Sequence, residues 1–110
     1  MEFVALGKYT AAGLSGFAKN PKEDREAVIG KMMEMAGGKM HKLMLTRGEY
    51  DAVVIGEAPD FETVAAIKMM IMASGAMSEL IFLESADYNA IGEKAASMMA
   101  GTGSYKAPGG

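Results

Sequence analysis

The sequence predicts an α+β domain built on one antiparallel sheet. Three observations predict it. Short apolar runs alternate with capped helical segments in the order β-α-β-β-α-β, and one further helix follows. Two of the apolar runs are joined by a tight turn, Arg47 to Tyr50, as in a hairpin. The chain has 110 residues, half of them apolar, which suits one domain with a real core.

Each element has its own justification. Phe3 to Leu6 is a short apolar run and reads as the first strand. Thr10 caps a helical piece over Ala11 to Lys19, in which Gly13 and Gly16 are expected to leave one or two irregular turns. Asn20-Pro21-Lys22-Glu23 reads as a helix start, with Asn20 as cap, Pro21 at the first position and Glu23 reaching back. That helix runs to Ala36, and Ile29, Met32, Met33 and Ala36 form its buried stripe. Gly37-Gly38 ends it.

Lys39 to Thr46 alternates as a strand, Arg47 to Tyr50 turns, and Ala52 to Ile55 forms the second arm. Asp60 caps the next helix, Glu62 sits near its positive end, and Gly75 stops it after Ser74. Glu79 to Glu84 is the last strand. Ser85 or Asp87 caps a final helix through Ala100. Gly101 to Gly110 has the composition of a flexible tail. The order is that of the split-βαβ, ferredoxin-like sheet with helices on one face.

Composition excludes several functions. Net charge is −3 and the basic residues are scattered, so no nucleic-acid partner is expected. There is no cysteine, which removes disulfides, zinc-thiolate sites and thiol catalysis. No window is long and apolar enough for a membrane span, and the acidic N-terminus does not resemble a secretion signal. A cytoplasmic protein is expected, with no membrane partner.

The strands carry a further message. An antiparallel sheet with one wet face should alternate, yet Val53-Val54-Ile55 and Leu80-Ile81-Phe82-Leu83 are continuous. Both faces of these strands want burial, and two helices cover only one. A homodimer or higher oligomer, sheet against sheet, meets that demand. The other way to meet it is for the terminal helix or the tail to fold across the open face. The second main helix adds to this. Val64 through Ala73 leaves Lys68 nearly alone among apolar residues, so its outer face is expected to meet another subunit or a different protein, or to lie under the terminal helix.

Several segments together carry a resemblance: Tyr9-Thr10-x-x-Gly13 after the first strand, Gly37-Gly38-Lys39, Gly48-Glu49-Tyr50-Asp51-Ala52-Val53-Val54-Ile55, Glu57-Ala58-Pro59-Asp60 and Ser74-Gly75-Ala76. In this layout the chain resembles the GYD-domain family of dimeric α+β barrels over Phe3 to Tyr88. The resemblance implies a sheet-to-sheet dimer and marks Gly48, Glu49, Tyr50 and Asp51 as motif residues near a ligand cleft. Read physically, Gly48 serves a turn, Tyr50 offers a ring with a polar tip, and Asp51 bonds turn backbone. Structural roles are the expectation for all three.

Candidates for chemistry are sparse. His41, Arg47 and Tyr50 are the catalytic candidates, placed at or near the hairpin end. Twelve methionines include two matched clusters, Met32-Met33-x-Met35 and Met69-Met70-x-Met72. Thioether sulfur suits Cu(I), but both clusters lie in helices with apolar stripes, so methionine reads as adaptable core filler or contact surface. Strand alternation places His41 opposite both Met40 and Met44. No metal and no cofactor are expected.

Three functional expectations follow. The first is a non-catalytic assembly or accessory subunit of a larger protein complex, acting through its sheet face, its apolar second main helix (Met69, Met70, Met72) and Tyr105 of the tail. The second is a cofactor-independent oxygenase or isomerase using Tyr50, His41 and Arg47 in the cleft between sheet and helices. The third is a ligand-sensing domain.

Overall fold

A computed structural model describes residues 1–101 and 105–109. The elements are β1 (Glu2–Tyr9), α1 (Ala11–Lys19), α2 (Arg25–Met35), β2 (Lys39–Leu45), β3 (Ala52–Glu57), α3 (Phe61–Ala73), β4 (Met77–Glu84) and α4 (Tyr88–Ala100). The four strands form one antiparallel sheet in the order β2-β3-β1-β4. This is the α+β, ferredoxin-like sheet that the element order predicts, with α1 added between β1 and α2.

Local hydrogen bonds explain the helix starts. Thr10, Asp24, Asp60 and Asp87 each accept a bond from a free backbone N–H in the first turn of α1, α2, α3 and α4. Asp87, not Ser85, therefore caps α4. The start of α2 departs from expectation. Asn20 closes α1 instead, its N–H donating to the Gly16 carbonyl. Pro21 lies in a turn, and the Glu23 carboxylate pairs with Arg25 at 2.9 Å rather than reaching back to Asn20. α1 is a regular nine-residue helix despite its two glycines. Thr10 ties it down: its hydroxyl donates to the Gly75 carbonyl at 2.7 Å, where Gly75 follows α3 at φ +77°.

The core lies between the sheet and the pair α2 and α3. Phe3 and Ala5 of β1, Leu80 of β4, Met33 of α2, and Val64 and Ile67 of α3 are buried together, with the rings of Phe3 and Phe82 tilted against each other at 5.2 Å. Met33 is the largest side chain that is wholly enclosed. The two methionine clusters divide in the same way. Met32 and Met72 pack against this core, while Met35, Met69 and Met70 face outward. Helical periodicity sorts them, since each residue is turned about 100° from the one before it.

α4 does not fold back. Each of its residues is exposed, and none of the other described elements packs on it. The radius of gyration is 18.6 Å, against about 13 Å for a compact chain of this length. The molecule spans 61 × 34 × 22 Å. Neither of the two local solutions holds: α4 covers neither the open face of the sheet nor the outer face of α3. The expected flexible tail, residues 101–110, falls partly on residues 102–104 and 110, outside the described residues. Within them, Tyr105 is 84% exposed.

The division of methionines is testable. Met33→Ala should lower stability by about 2–5 kcal/mol through the cavity it leaves. Met35→Ala should stay within roughly 0.5 kcal/mol. Urea unfolding of both variants decides it; equal losses would mean that α2 is rotated from the position described.

Candidate functional site

Strand registers decide which side chains share the face that the helices leave open. Val4 of β1 lies between Ile55 of β3 and Leu83 of β4; Leu6 lies between Val53 and Ile81. Met44 of β2 continues the row beside Val53. Seven apolar side chains thus adjoin one another on the open face, and Leu83 is 52% exposed. Soluble monomers rarely leave such a contiguous branched-chain surface in water. Charges rim it. Lys8 and Glu79 pair at 3.2 Å at one end, and that carboxylate holds the Lys8 ammonium above its usual pKa.

The opposite end holds His41. A register shift between Met40 and Lys42 leaves His41 as an extra residue in β2, a bulge. Its Nε2 lies 3.6 Å from a Glu57 carboxylate oxygen. The bulge also resets the alternation. Met40 pairs with Gly56 and packs on the core, whereas Met44 pairs with Val53 on the open side. The expectation that Met40 and Met44 share a face is therefore corrected. Sequence periodicity cannot show a bulge, because one inserted residue breaks parity without changing composition.

The hairpin between β2 and β3 holds the remaining motif residues. Gly48 has φ +142°, a conformation that side chains disfavour. Thr46 stitches the turn, donating its hydroxyl to the Tyr50 carbonyl at 2.6 Å and its N–H to the Asp51 carbonyl at 2.8 Å. Asp51 reaches further than its own turn. Its N–H donates to the Gly7 carbonyl at 2.8 Å, and its carboxylate accepts the Tyr9 N–H at 2.9 Å. β3 ends its pairing with β1 at Gly7–Ala52, so the Tyr9 N–H lies beyond the ladder. A charged acceptor meets it there. The Tyr50 ring lies 5.2 Å beneath the Lys8 ammonium, at the rim of the open face. Arg47 and Glu49 are exposed.

The catalytic candidates are not brought together. His41 sits beside Glu57, and Tyr50 lies beyond the other end of β3, about 17 Å along the strand. Neither of them, nor Arg47, lines the cavity between sheet and helices. That cavity is about 50 Å³ and is bounded by apolar side chains together with Tyr9. It is far below the roughly 300–1,000 Å³ of ordinary ligand pockets. Among the described residues no cluster of three or more His, Asp or Glu is arranged to hold a metal.

Sequence reasoning overlooked Tyr9 as a group of chemical interest. Its ring stands edge-on to Phe17 at 5.3 Å, in a groove that Arg25 and Glu23 also line. Burial pushes its phenol above the usual pKa, the Arg25 guanidinium pulls the other way, and Asp51 adds to the rise. The signal was present in the Tyr9-Thr10-x-x-Gly13 segment, but its burial depends on α1 folding over it.

The family model of the GYD domain matches residues 3–91. The chain belongs to the GYD domain family. Among curated proteins none is significantly similar to it. The match extends over the whole sheet and the first residues of α4, and it leaves the rest of α4 and the tail outside. In this GYD domain Gly48, Asp51 and Tyr50 divide their tasks. Gly48 turns the chain, Asp51 closes the end of β1, and Tyr50 lies under Lys8 at the rim of the exposed sheet face. Among the described residues no helix is long and apolar enough to cross a membrane.

Removing the carboxylate at Asp51 leaves the Tyr9 N–H without its charged acceptor. Asp51→Ala should cost about 1.5–3 kcal/mol in urea unfolding, and Arg47→Ala under roughly 0.5 kcal/mol. A neutral Asp51→Ala would mean that the lock is redundant. Tyr9 gives a pH test. Its folded pKa is raised above the unfolded value of about 10, so its contribution is complete below that pH and is lost as pH rises through the folded value. Tyr9→Phe should therefore flatten the alkaline fall in the urea midpoint. An unchanged slope above pH 10 would assign that fall to other groups.

Proposed function

We propose that this GYD domain is a non-catalytic assembly subunit that forms a homodimer, sheet against sheet, and acts as an accessory part of a larger protein complex. The observation that carries the reading is the open sheet face: Val4, Leu6, Met44, Val53, Ile55, Ile81 and Leu83, contiguous and uncovered by any of the described elements. Burying aliphatic side chains stabilises by about 25 cal/mol per Å². An isologous dimer brings each patch onto its own copy, the commonest arrangement among oligomers. The ion pair of Lys8 with Glu79 and the Lys8–Tyr50 contact form a polar rim, the usual surround of an apolar interface.

Met69 and Met70 of α3, at 74% and 59% exposure, are a second surface, facing away from the sheet. Flexible thioethers adapt to varied partners, and this surface is the one we assign to the larger complex. Met72 and Tyr105, also expected at a partner interface, differ from each other. Met72 serves the core of its own domain, and Tyr105 is free for contact.

The expected result of sedimentation equilibrium is a dimer. Val53→Lys, which places a charge at the centre of the face, should raise its dissociation constant roughly thirtyfold or more, about 2 kcal/mol. Thermal unfolding of the isolated variant should stay cooperative, because position 53 faces away from the core. A wild-type monomer at micromolar concentration would sink the dimer, and purification from its source as a bare dimer would count against the larger complex.

A further inference from the structure

We infer that α4 is an interface arm for a second copy of this chain: the stripe of Tyr88, Ile91, Ala95, Met98 and Met99 packs on the partner protomer and extends the sheet-face interface. The inference rests on the proposed dimer. Helical spacing puts these five residues within an arc of about 100°. Asn89, Glu93, Lys94 and Ser97 occupy the opposite side. Among the described residues no other element covers the stripe, and Tyr88 is 81% exposed.

An uncovered helix of 13 residues is marginal in water, where helices of fewer than about 12–15 residues hold poorly without packing. The stripe therefore calls for an occupant. A lipid surface is a poor one. α4 carries one lysine and one glutamate, so it lacks the cationic face by which amphipathic helices hold anionic membranes.

A second copy answers both the position of the arm and the size of the interface. The open sheet face offers about a dozen outward side chains, whereas a standard interface uses roughly 20–30 residues a side. The sheet alone falls short. In a two-fold dimer each protomer gives an arm and receives one, so the stripe and the surface it covers are both added on each side. The arm also leaves from the right place. Three residues, Ser85 to Asp87, separate β4 from α4, and the Ser85 N–H donates to the Glu2 carbonyl at the end of β1. α4 thus starts at the margin of the exposed face and reaches about 20 Å from it.

The test uses the full chain, which has no native cysteine to confuse labelling. Benzophenone-maleimide on Ile91→Cys, photolysed in a mixture of ¹⁴N and ¹⁵N chains, should give peptides cross-linked between chains of different isotope. Ile91→Glu should raise the dimer dissociation constant at least about tenfold by sedimentation, while Glu93→Ala on the opposite side of α4 should leave it unchanged. Cross-links found only within one chain would overturn the arm, and so would a dimer indifferent to Ile91→Glu. Paired with Val53→Lys, the results separate the two ideas. A dimer weakened by Val53→Lys alone keeps the sheet interface and removes the arm. One weakened by Ile91→Glu alone keeps the arm and removes the sheet interface.

Discussion

Two helices of ordinary length can shield only one face of a four-stranded sheet, and the rest of this structure follows from that constraint. β1 lies inside the sheet, so its alternate residues must serve two different environments. Phe3 and Ala5 meet α2 and α3, while Val4 and Leu6 look the other way. In a sheet with one solvated face the second set is polar. Here it is branched and apolar across three strands, with Met44 of β2 beside it. The same excess of apolar surface recurs on α3, and on α4, on which none of the other described elements packs. The chain has more hydrophobic surface than one copy of its own core can take.

Charge and hydrogen bonding are used for a different purpose, to close the ends of the sheet. Asp51 receives the Tyr9 N–H where β3 has stopped pairing with β1, and Thr10 fastens α1 to the link between α3 and β4. No buried polar side-chain atom among the described residues is left without a partner. This complete satisfaction suits motif residues whose work is structural. It also explains how Asp51 can be prominent in the sequence through its bonds to backbone alone. The small cavity between sheet and helices is bounded by apolar side chains together with Tyr9, and His41 and Tyr50 are held apart by the length of β3.

What the sequence by itself determined about this protein is everything that depends on neighbours within about four residues. The element order, the caps at Thr10 and Asp60, the stop at Gly75 and the Gly48 turn are all set by such local bonds and conformations. Continuous Val53-Val54-Ile55 likewise announced that both faces of the sheet are apolar. Even locally there was competition. Asn20 and Asp24 both suit a cap, and Asn20 went to the end of α1 because that helix needed closing.

Tertiary structure alone decided the rest, because those features depend on residues far apart in the chain. Asp51 bonds Tyr9 across 42 positions, a partner that its own turn does not reveal. The bulge at His41 arises from the pairing of β2 with β3, and it sends Met40 and Met44 to opposite faces against simple alternation. Tyr9 became a half-buried phenol only when Phe17 of α1 came to lie against it. The direction of α4 was undecided for the same reason: an amphipathic stripe fixes which side of a helix seeks cover, but where the cover lies is a matter of how the strand before it ends in space.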